Sequence, residues 1–198
     1  PWELLWDEGQ APLLLGHKRL ASCTRHLDLG EALPPPRPHS GALRILAITP
    51  HAGIDPDERE RERAERTATW APLIANGEVV MEELGPATRR ALVDRMLSGP
   101  PPDIVHFVGH GRYADGEGWL VLDRPDGQWD RVPANQLLPL FGETRLVVLC
   151  ACQGGMVGEG GLLTGVAPAL SAAGVPAVVA MQLTVRATAA TRFSEVMY

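Results

Sequence analysis

The order of strand and helix signals after residue 42 constrains the fold of this chain more than any other feature. Short apolar runs typical of strands alternate with longer segments of helical pattern. Strands that alternate with helices predict a parallel sheet with crossover helices. The predicted strands are 43–48, 79–84, 104–108, 146–150 and 177–181. The predicted helices are 57–74, 86–97 with Pro86 in its first turn, 132–140, 162–173 and 185–198.

The rest of the chain predicts two smaller segments before this α/β region. Residues 1–33 mix short apolar runs around the turn-like Asp7-Glu8-Gly9, which is typical of a hairpin. Residues 34–42 form a proline-rich linker, since prolines cannot donate to a sheet ladder. We therefore expect an α/β domain over 43–198, with its C-terminal end incomplete.

Charge and cysteine content exclude several classes of function. The net charge is −6 and no basic cluster stands apart from acidic residues, so no nucleic-acid partner is expected. The longest apolar run, Leu146 to Cys152, is far shorter than the roughly 18 residues of a membrane span, so no membrane partner is expected. Three cysteines, two of them one residue apart, favour a reducing, cytoplasmic location over a disulfide framework. We expect neither a cofactor nor a metal.

Two glycine-rich segments follow the third and fourth predicted strands, and each carries a reactive side chain. His110 lies just past the third strand, and Cys152 lies just past the fourth. Ligands bind at the carboxyl ends of parallel strands, and neighbouring strands lie about 4.8 Å apart. The two side chains could thus form a dyad, in which the Cys152 thiolate attacks a carbonyl carbon and His110 transfers protons. The backbone amides of Gly111 and Cys152 are the expected oxyanion donors.

The sequences around these two residues resemble the catalytic motifs of caspase-like (clan CD) cysteine peptidases, and most closely the CHAT domain. The motifs are Val105–Gly111 (VHFVGHG) and Val147–Gly155 (VVLCACQGG). The segment 151–154 (ACQG) agrees with the caspase signature, although Cys150 stands where caspases have Gln, and the spacing from histidine to cysteine is close to the roughly 50 residues of caspases. Residues 1–7 look like the opening of CHAT domains, and residues 190–198 resemble their penultimate helix.

This resemblance implies a caspase-like α/β sheet flanked by helices, with central strand order 2-1-3-4. It also implies a cysteine endopeptidase that hydrolyses a protein or peptide substrate with the His110–Cys152 dyad, controlled by attached regulatory domains or a partner protein. In the family a backbone carbonyl often orients the histidine, and neither Asp103 nor Asp115 is placed to do so here. The residue preferred before the scissile bond stays open.

Other interpretations of the same residues stay open beside this one. The domain could be a catalytically inactive caspase-like scaffold or interaction module. His106 and Cys150 are expected in the core, and Cys23 has no assigned role. Zinc ligation is the metal alternative, with four candidate ligands: His106, His110, Cys150 and Cys152.

The segment between the two motifs raises two further alternatives. Trp119 and Trp129 either pack within a hairpin or line a substrate groove. The acidic side chains of the same hairpin could bind a basic substrate residue, and they are Glu117, Asp123, Asp126 and Asp130.

Overall fold

The computed structural model describes residues 35, 38–115, 117–151 and 165–180. These residues belong to one compact unit, Ala32–Tyr198. The predicted hairpin at 1–33 and the predicted helix at 185–198 lie outside the described residues. In the predicted linker, residue 35 and residues 38–42 are in neither a helix nor a strand. No helix in the described part of the chain is long and apolar enough to cross a membrane.

Five parallel strands form the main sheet, and three antiparallel strands form a small second sheet. The main sheet has the order β2-β1-β3-β7-β8, and the small sheet has the order β4-β5-β6. The main strands are β1 (Leu43–Ile48), β2 (Val79–Leu84), β3 (Ile104–Gly109), β7 (Leu146–Ala151) and β8 (Ala177–Ala180). The small sheet contains β4 (Gly111–Ala114), β5 (Glu117–Asp123) and β6 (Trp129–Pro133). The predicted parallel α/β sheet and its central order are confirmed.

In the described ranges four helices connect these strands, and local sequence sets where they begin. They are α1 (Pro56–Ala75), α2 (Arg89–Ser98), α3 (Ala134–Leu137), which continues as a 3₁₀ turn over Leu138–Leu140, and α4 (Val166–Ala172). In α1, the Asp55 carboxylate caps two first-turn amides and Pro56 occupies a position where no amide donor is needed. This satisfies backbone donors that would otherwise lack partners.

Two predictions about local structure are wrong. Pro86 precedes α2, which begins at Arg89 because the Thr88 hydroxyl accepts a hydrogen bond from the Ala91 amide at 3.1 Å. The predicted strands include none directly after His110, but the first residues of this glycine-rich segment form β4 and pair with β5. The stretch between β3 and β7 is therefore a three-stranded sheet, in which β5 and β6 form the predicted hairpin and β4 is an added strand.

The main sheet separates two apolar clusters, because successive strand residues point to opposite faces. One cluster contains Trp70 of α1 together with Ile45, Ile104 and Val148. The larger cluster lies on the other face and includes residues of α2, α3, α4 and the small sheet. Both faces of the central strands are buried, which explains why these strands are continuous apolar runs.

Candidate active site

The site lies where two central strands end side by side. Strands β3 and β7 pair in parallel, and their last paired residues are Gly109 and Ala151. His110 follows Gly109 directly, and Cys152 follows Ala151 directly. Cys152 lies outside the described residues, so the structure gives the surroundings of His110 only.

A backbone carbonyl fixes the orientation of the His110 ring. Its Nε2 lies 2.8 Å from the carbonyl oxygen of Gly53, in the segment that follows β1. A carbonyl oxygen only accepts hydrogen bonds, so Nε2 must carry the hydrogen. In the neutral ring Nδ1 is then the nitrogen with the free lone pair, and it can accept a proton. The orienting carbonyl that the resemblance implied is thus the carbonyl of Gly53, which the sequence did not identify.

Trp129 covers the face of the His110 ring. The two ring centroids are 5.8 Å apart and the ring planes are inclined by 24°. Trp129 begins β6 and is 48% exposed. The indole therefore lies against one face of the imidazole in the offset stacked arrangement that aromatic rings prefer. The sequence left two alternatives for Trp129, packing within a hairpin or lining a substrate groove. Trp129 lies beside His110 and is half exposed, so it is not fully packed within the hairpin.

Gly53 has to be a glycine at this position for two reasons. Its φ is +75°, in the left-handed region that other residues disfavour. A Cβ atom placed there would also lie 2.6 Å from Cζ2 of Trp129. The close approach of this backbone to the indole therefore depends on the missing side chain.

A buried carboxylate holds the segment that carries Gly53. Oδ1 of Asp123 accepts hydrogen bonds from the amides of His51 and Ala52, both at 2.8 Å. Oδ2 accepts a hydrogen bond from the amide of Ala87 at 3.1 Å. The residue is 6% exposed. Asp123 thus joins the end of β5 to the segments after β1 and β2.

A second anchor lies at the start of the segment after β1. Nη1 of the buried Arg66 donates to Oγ1 of Thr49 at 3.0 Å and to both carboxylate oxygens of Glu62, while Nη2 donates to Glu83 at 3.2 Å. Burial raises the pKa of Glu62, and the Arg66 guanidinium opposes this rise. Helix α1 is thereby tied to the C-terminal end of β1.

The candidate oxyanion donor Gly111 is the first residue of β4, and its amide points away from β5. The amide of Val121 donates to the carbonyl of His110 at 3.0 Å, and Gly111 lies opposite Leu120 in the ladder. Antiparallel pairs alternate between bonded and non-bonded, so the pair after a bonded one directs its amides outward. The other predicted donor, the Cys152 amide, lies outside the described residues.

His106 and Cys150 lie in the core, as the sequence indicated. The exposed fraction of His106 is 0%, and its ring meets Trp70 edge to face at a centroid distance of 5.4 Å. Burial, with a smaller contribution from Arg66, lowers the pKa of His106 to about 3. His106 is therefore neutral at physiological pH and does not take part in proton transfer there.

The metal alternative gains no support from the part of the chain that is described. No group of three or more His, Cys, Asp or Glu residues in that part could hold a metal ion. Cys150 is buried in the apolar cluster beneath α1, and Nε2 of His110 is directed to a carbonyl oxygen. Of the four proposed ligands, Cys152 is outside the described residues.

The acidic hairpin is not a free carboxylate surface. Asp123 binds backbone amides, and the other three carboxylates contact neighbouring side chains: Asp130 contacts Arg89 at 3.2 Å, Asp126 contacts Arg124 at 3.3 Å, and Glu117 accepts from Asn135 at 3.2 Å. Trp119 packs beneath the Arg131 guanidinium, whose carbon lies 4.8 Å from the ring centroid. These contacts weaken the interpretation of the hairpin as a docking site for a basic residue.

The parallel sheet, with a carbonyl-oriented histidine at the end of β3, defines an α/β domain of caspase-like fold. The chain belongs to the CHAT domain family, a caspase-like family whose model matches residues 1–198. A search of curated proteins finds no significant match.

Proposed function

We propose that this CHAT domain is a cysteine endopeptidase in which Cys152 is the nucleophile and His110 is the general base and acid. The observation that carries the proposal is the state of His110 at the end of β3. Its Nε2–H is committed to the Gly53 carbonyl, so Nδ1 is left to accept a proton. The paired ends of β3 and β7 support a short distance to the residue that follows Ala151.

In the proposed mechanism His110 Nδ1 takes the proton of the Cys152 thiol, and the thiolate attacks the scissile carbonyl carbon. The oxyanion that forms accepts hydrogen bonds from the amides of Gly111 and Cys152. Collapse of this intermediate breaks the C–N bond, and the imidazolium of His110 protonates the leaving amine. His110 then removes a proton from water, whose oxygen attacks the thioester carbonyl carbon. Collapse breaks the C–S bond and releases the acid product, and the imidazolium of His110 returns its proton to the departing Cys152 thiolate.

Two features of the described site favour this sequence of proton transfers. The Gly53 carbonyl holds the imidazole in one orientation throughout, because Nε2–H is a donor in both the neutral and the charged ring. The indole of Trp129 packs on one face of the ring and so helps to hold it in that orientation.

Thiol reactivity tests the dyad directly, without knowledge of the substrate. The wild-type chain is treated with iodoacetamide near pH 7, and the alkylation rate at each cysteine is read by mass spectrometry. We expect Cys152 to react faster than Cys23 and faster than free cysteine, and His110→Ala to abolish this excess. His51→Ala is the matched control, because it removes an exposed histidine on the neighbouring loop. An unchanged Cys152 rate in His110→Ala would refute the dyad.

Peptidase activity is tested with a diverse peptide library read by mass spectrometry. We expect cuts with the wild type that are absent with Cys152→Ala and retained with Cys150→Ala, which removes only the buried neighbouring thiol. The positions of the cuts would also give the residue preferred before the scissile bond. A Cys152 that reacts like free cysteine, together with no cleavage, would instead identify the inactive interaction module.

A further inference from the structure

Asp123 is a buried carboxylate with an unusual set of partners for a residue at the tip of a hairpin. All three hydrogen bonds to its oxygens come from backbone amides, at 2.8 Å, 2.8 Å and 3.1 Å. Its own amide donates to the carbonyl of Ala87 at 2.9 Å. Hydrogen bonds from amides to a charged carboxylate are about twice as strong as neutral ones. Asp123 therefore fixes backbone rather than another side chain.

The backbone that Asp123 fixes is the one that orients the histidine. The amides of His51 and Ala52 bind Oδ1 of Asp123, and the next residue is Gly53, whose carbonyl accepts from His110. Gly53 sits at a left-handed φ of +75°. Glycine has wide conformational freedom, so the direction of its carbonyl depends on how its neighbours are held.

The same hairpin also supplies the group that covers the histidine. Asp123 ends β5, Trp129 begins β6, and the two residues are paired across the ladder. The pair Asp123–Trp129 therefore contacts both the His110 ring and the segment whose carbonyl orients it. Asp123 holds the segment behind the ring, and Trp129 stacks on the ring and contacts Gly53.

We propose that Asp123 is a positioning residue for His110. Asp123 binds the amides of His51 and Ala52, and so holds the Gly53 carbonyl against Nε2 of His110. The catalytic importance of this role rests on the proposed peptidase function, because the orientation of His110 affects catalysis only if His110 transfers protons. The contact itself exists whether or not the domain is a peptidase. It fixes the hydrogen on Nε2 and keeps Nδ1 as the acceptor.

Three variants of the whole chain separate this role from general stability. Asp123→Ala removes both acceptor oxygens and with them all three hydrogen bonds. Asp123→Asn keeps one oxygen that can accept from both His51 and Ala52, so we expect it to lose less stability than the alanine variant. Asp103→Asn is the matched control. Asp103 is also a buried carboxylate that accepts a hydrogen bond from a backbone amide, that of Arg44 at 2.9 Å. It lies just before the start of β3, whereas His110 follows the end of that strand.

The ¹⁵N chemical shifts of the His110 ring nitrogens report which nitrogen carries the hydrogen. We expect the Nε2–H tautomer alone in the wild type and in Asp103→Asn, a small change in Asp123→Asn, and a mixture of both tautomers in Asp123→Ala. The iodoacetamide rate at Cys152 should fall about 10- to 100-fold in Asp123→Ala, the range that follows from misplacing a reacting group by about 1 Å.

The outcomes distinguish this inference from the proposed function. An Asp123→Ala chain that keeps the wild-type tautomer would overturn the inference, and so would an equal change in Asp103→Asn. If Asp123→Ala does not fold, Asp123→Asn decides the question. A small tautomer change in Asp123→Asn that is absent from Asp103→Asn supports the inference, whereas a wild-type spectrum in Asp123→Asn, or an equal change in Asp103→Asn, overturns it. A wild-type chain whose Cys152 reacts like free cysteine and which cuts no peptide would refute the peptidase, and the tautomer measurement would still decide the role of Asp123.

Discussion

The buried His106 should make the stability of this domain fall steeply in mild acid. Its pKa is lowered from 6.5 to about 3, first by burial and then by the nearby Arg66. In the unfolded chain the same imidazole takes up a proton near its ordinary pKa. Its contribution to stability is therefore complete above pH 6.5 and is lost as the pH falls from 6.5 toward 3.

The size of this effect follows from the difference between the two pKa values. Between pH 7 and pH 4.5 the unfolded state gains about 2–3 kcal/mol relative to the folded state from protonation of this one residue. This loss is a large part of the 5–15 kcal/mol that stabilises a typical domain. His106 has an exposed fraction of 0%, so no screening by solvent reduces the effect.

Urea unfolding from pH 7 to pH 4.5 measures the prediction when wild type and His106→Phe are compared. The variant keeps an aromatic ring beside Trp70 but cannot titrate, so the wild type should lose about 2–3 kcal/mol more than the variant over this range. His106→Leu is a second variant without a titratable group. His51→Gln, which removes an exposed histidine, should follow the wild type. Parallel pH profiles for wild type and both His106 variants would refute the reasoning.

Three further substitutions test contacts around the site. Gly53→Ala should destabilise the domain by about 1–2 kcal/mol because of the left-handed backbone, and it should displace Trp129; an unchanged melting temperature would count against the described loop. Gly118→Ala should cost about 2–3 kcal/mol in urea unfolding, since its Cβ would lie 2.6 Å from a backbone nitrogen of α4; wild-type stability would contradict this packing. Arg66→Met should cost about 2–3 kcal/mol at pH 7, because it leaves Glu62 without its cation. Arg66 opposes the rise that burial causes in the pKa of Glu62, so its loss lets Glu62 become neutral more readily and this cost should shrink near pH 4; a cost that grows in acid would contradict the assignment.

Much of the main sheet could be predicted because its three central strands, β1, β3 and β7, are largely buried on both faces. Strands β1 and β2 have the predicted bounds, and β3, β7 and β8 agree within one residue over the described chain. A strand covered on both faces must be apolar throughout, so its length can be recognised without knowing its neighbours. The strand order came from the resemblance to caspase-like peptidases, and the structure confirms it.

Strand β4 could not be predicted from composition, because these residues are a strand only through their pairing with β5. Gly111–Ala114 has no apolar alternation, and it is extended because it pairs with β5. The start of α2 was misplaced for a related reason. Pro86 is compatible with a first helical turn, but the Thr88 hydroxyl is the group that caps the helix.

The histidine was found from its motif, whereas the residues around it were not. Gly53 is one of several glycines near turn signals, and its contact with His110 spans 57 residues. Asp123 stands among other acidic residues, and sequence does not show that its oxygens face backbone amides rather than solvent. Such roles depend on which distant segments meet, and a single sequence carries no local signal for that.

The contacts around His110 also determine when this region can form during folding. The β5–β6 pair is local, since a short turn connects the two strands. By contrast, Asp123 reaches its partners across 71 and 72 residues. Pairings between distant segments form slowly, because a long loop must close before they gain any energy. A nascent chain can therefore hold a complete hairpin while its histidine is still unrestrained, and the histidine becomes oriented only when β1 has joined β3.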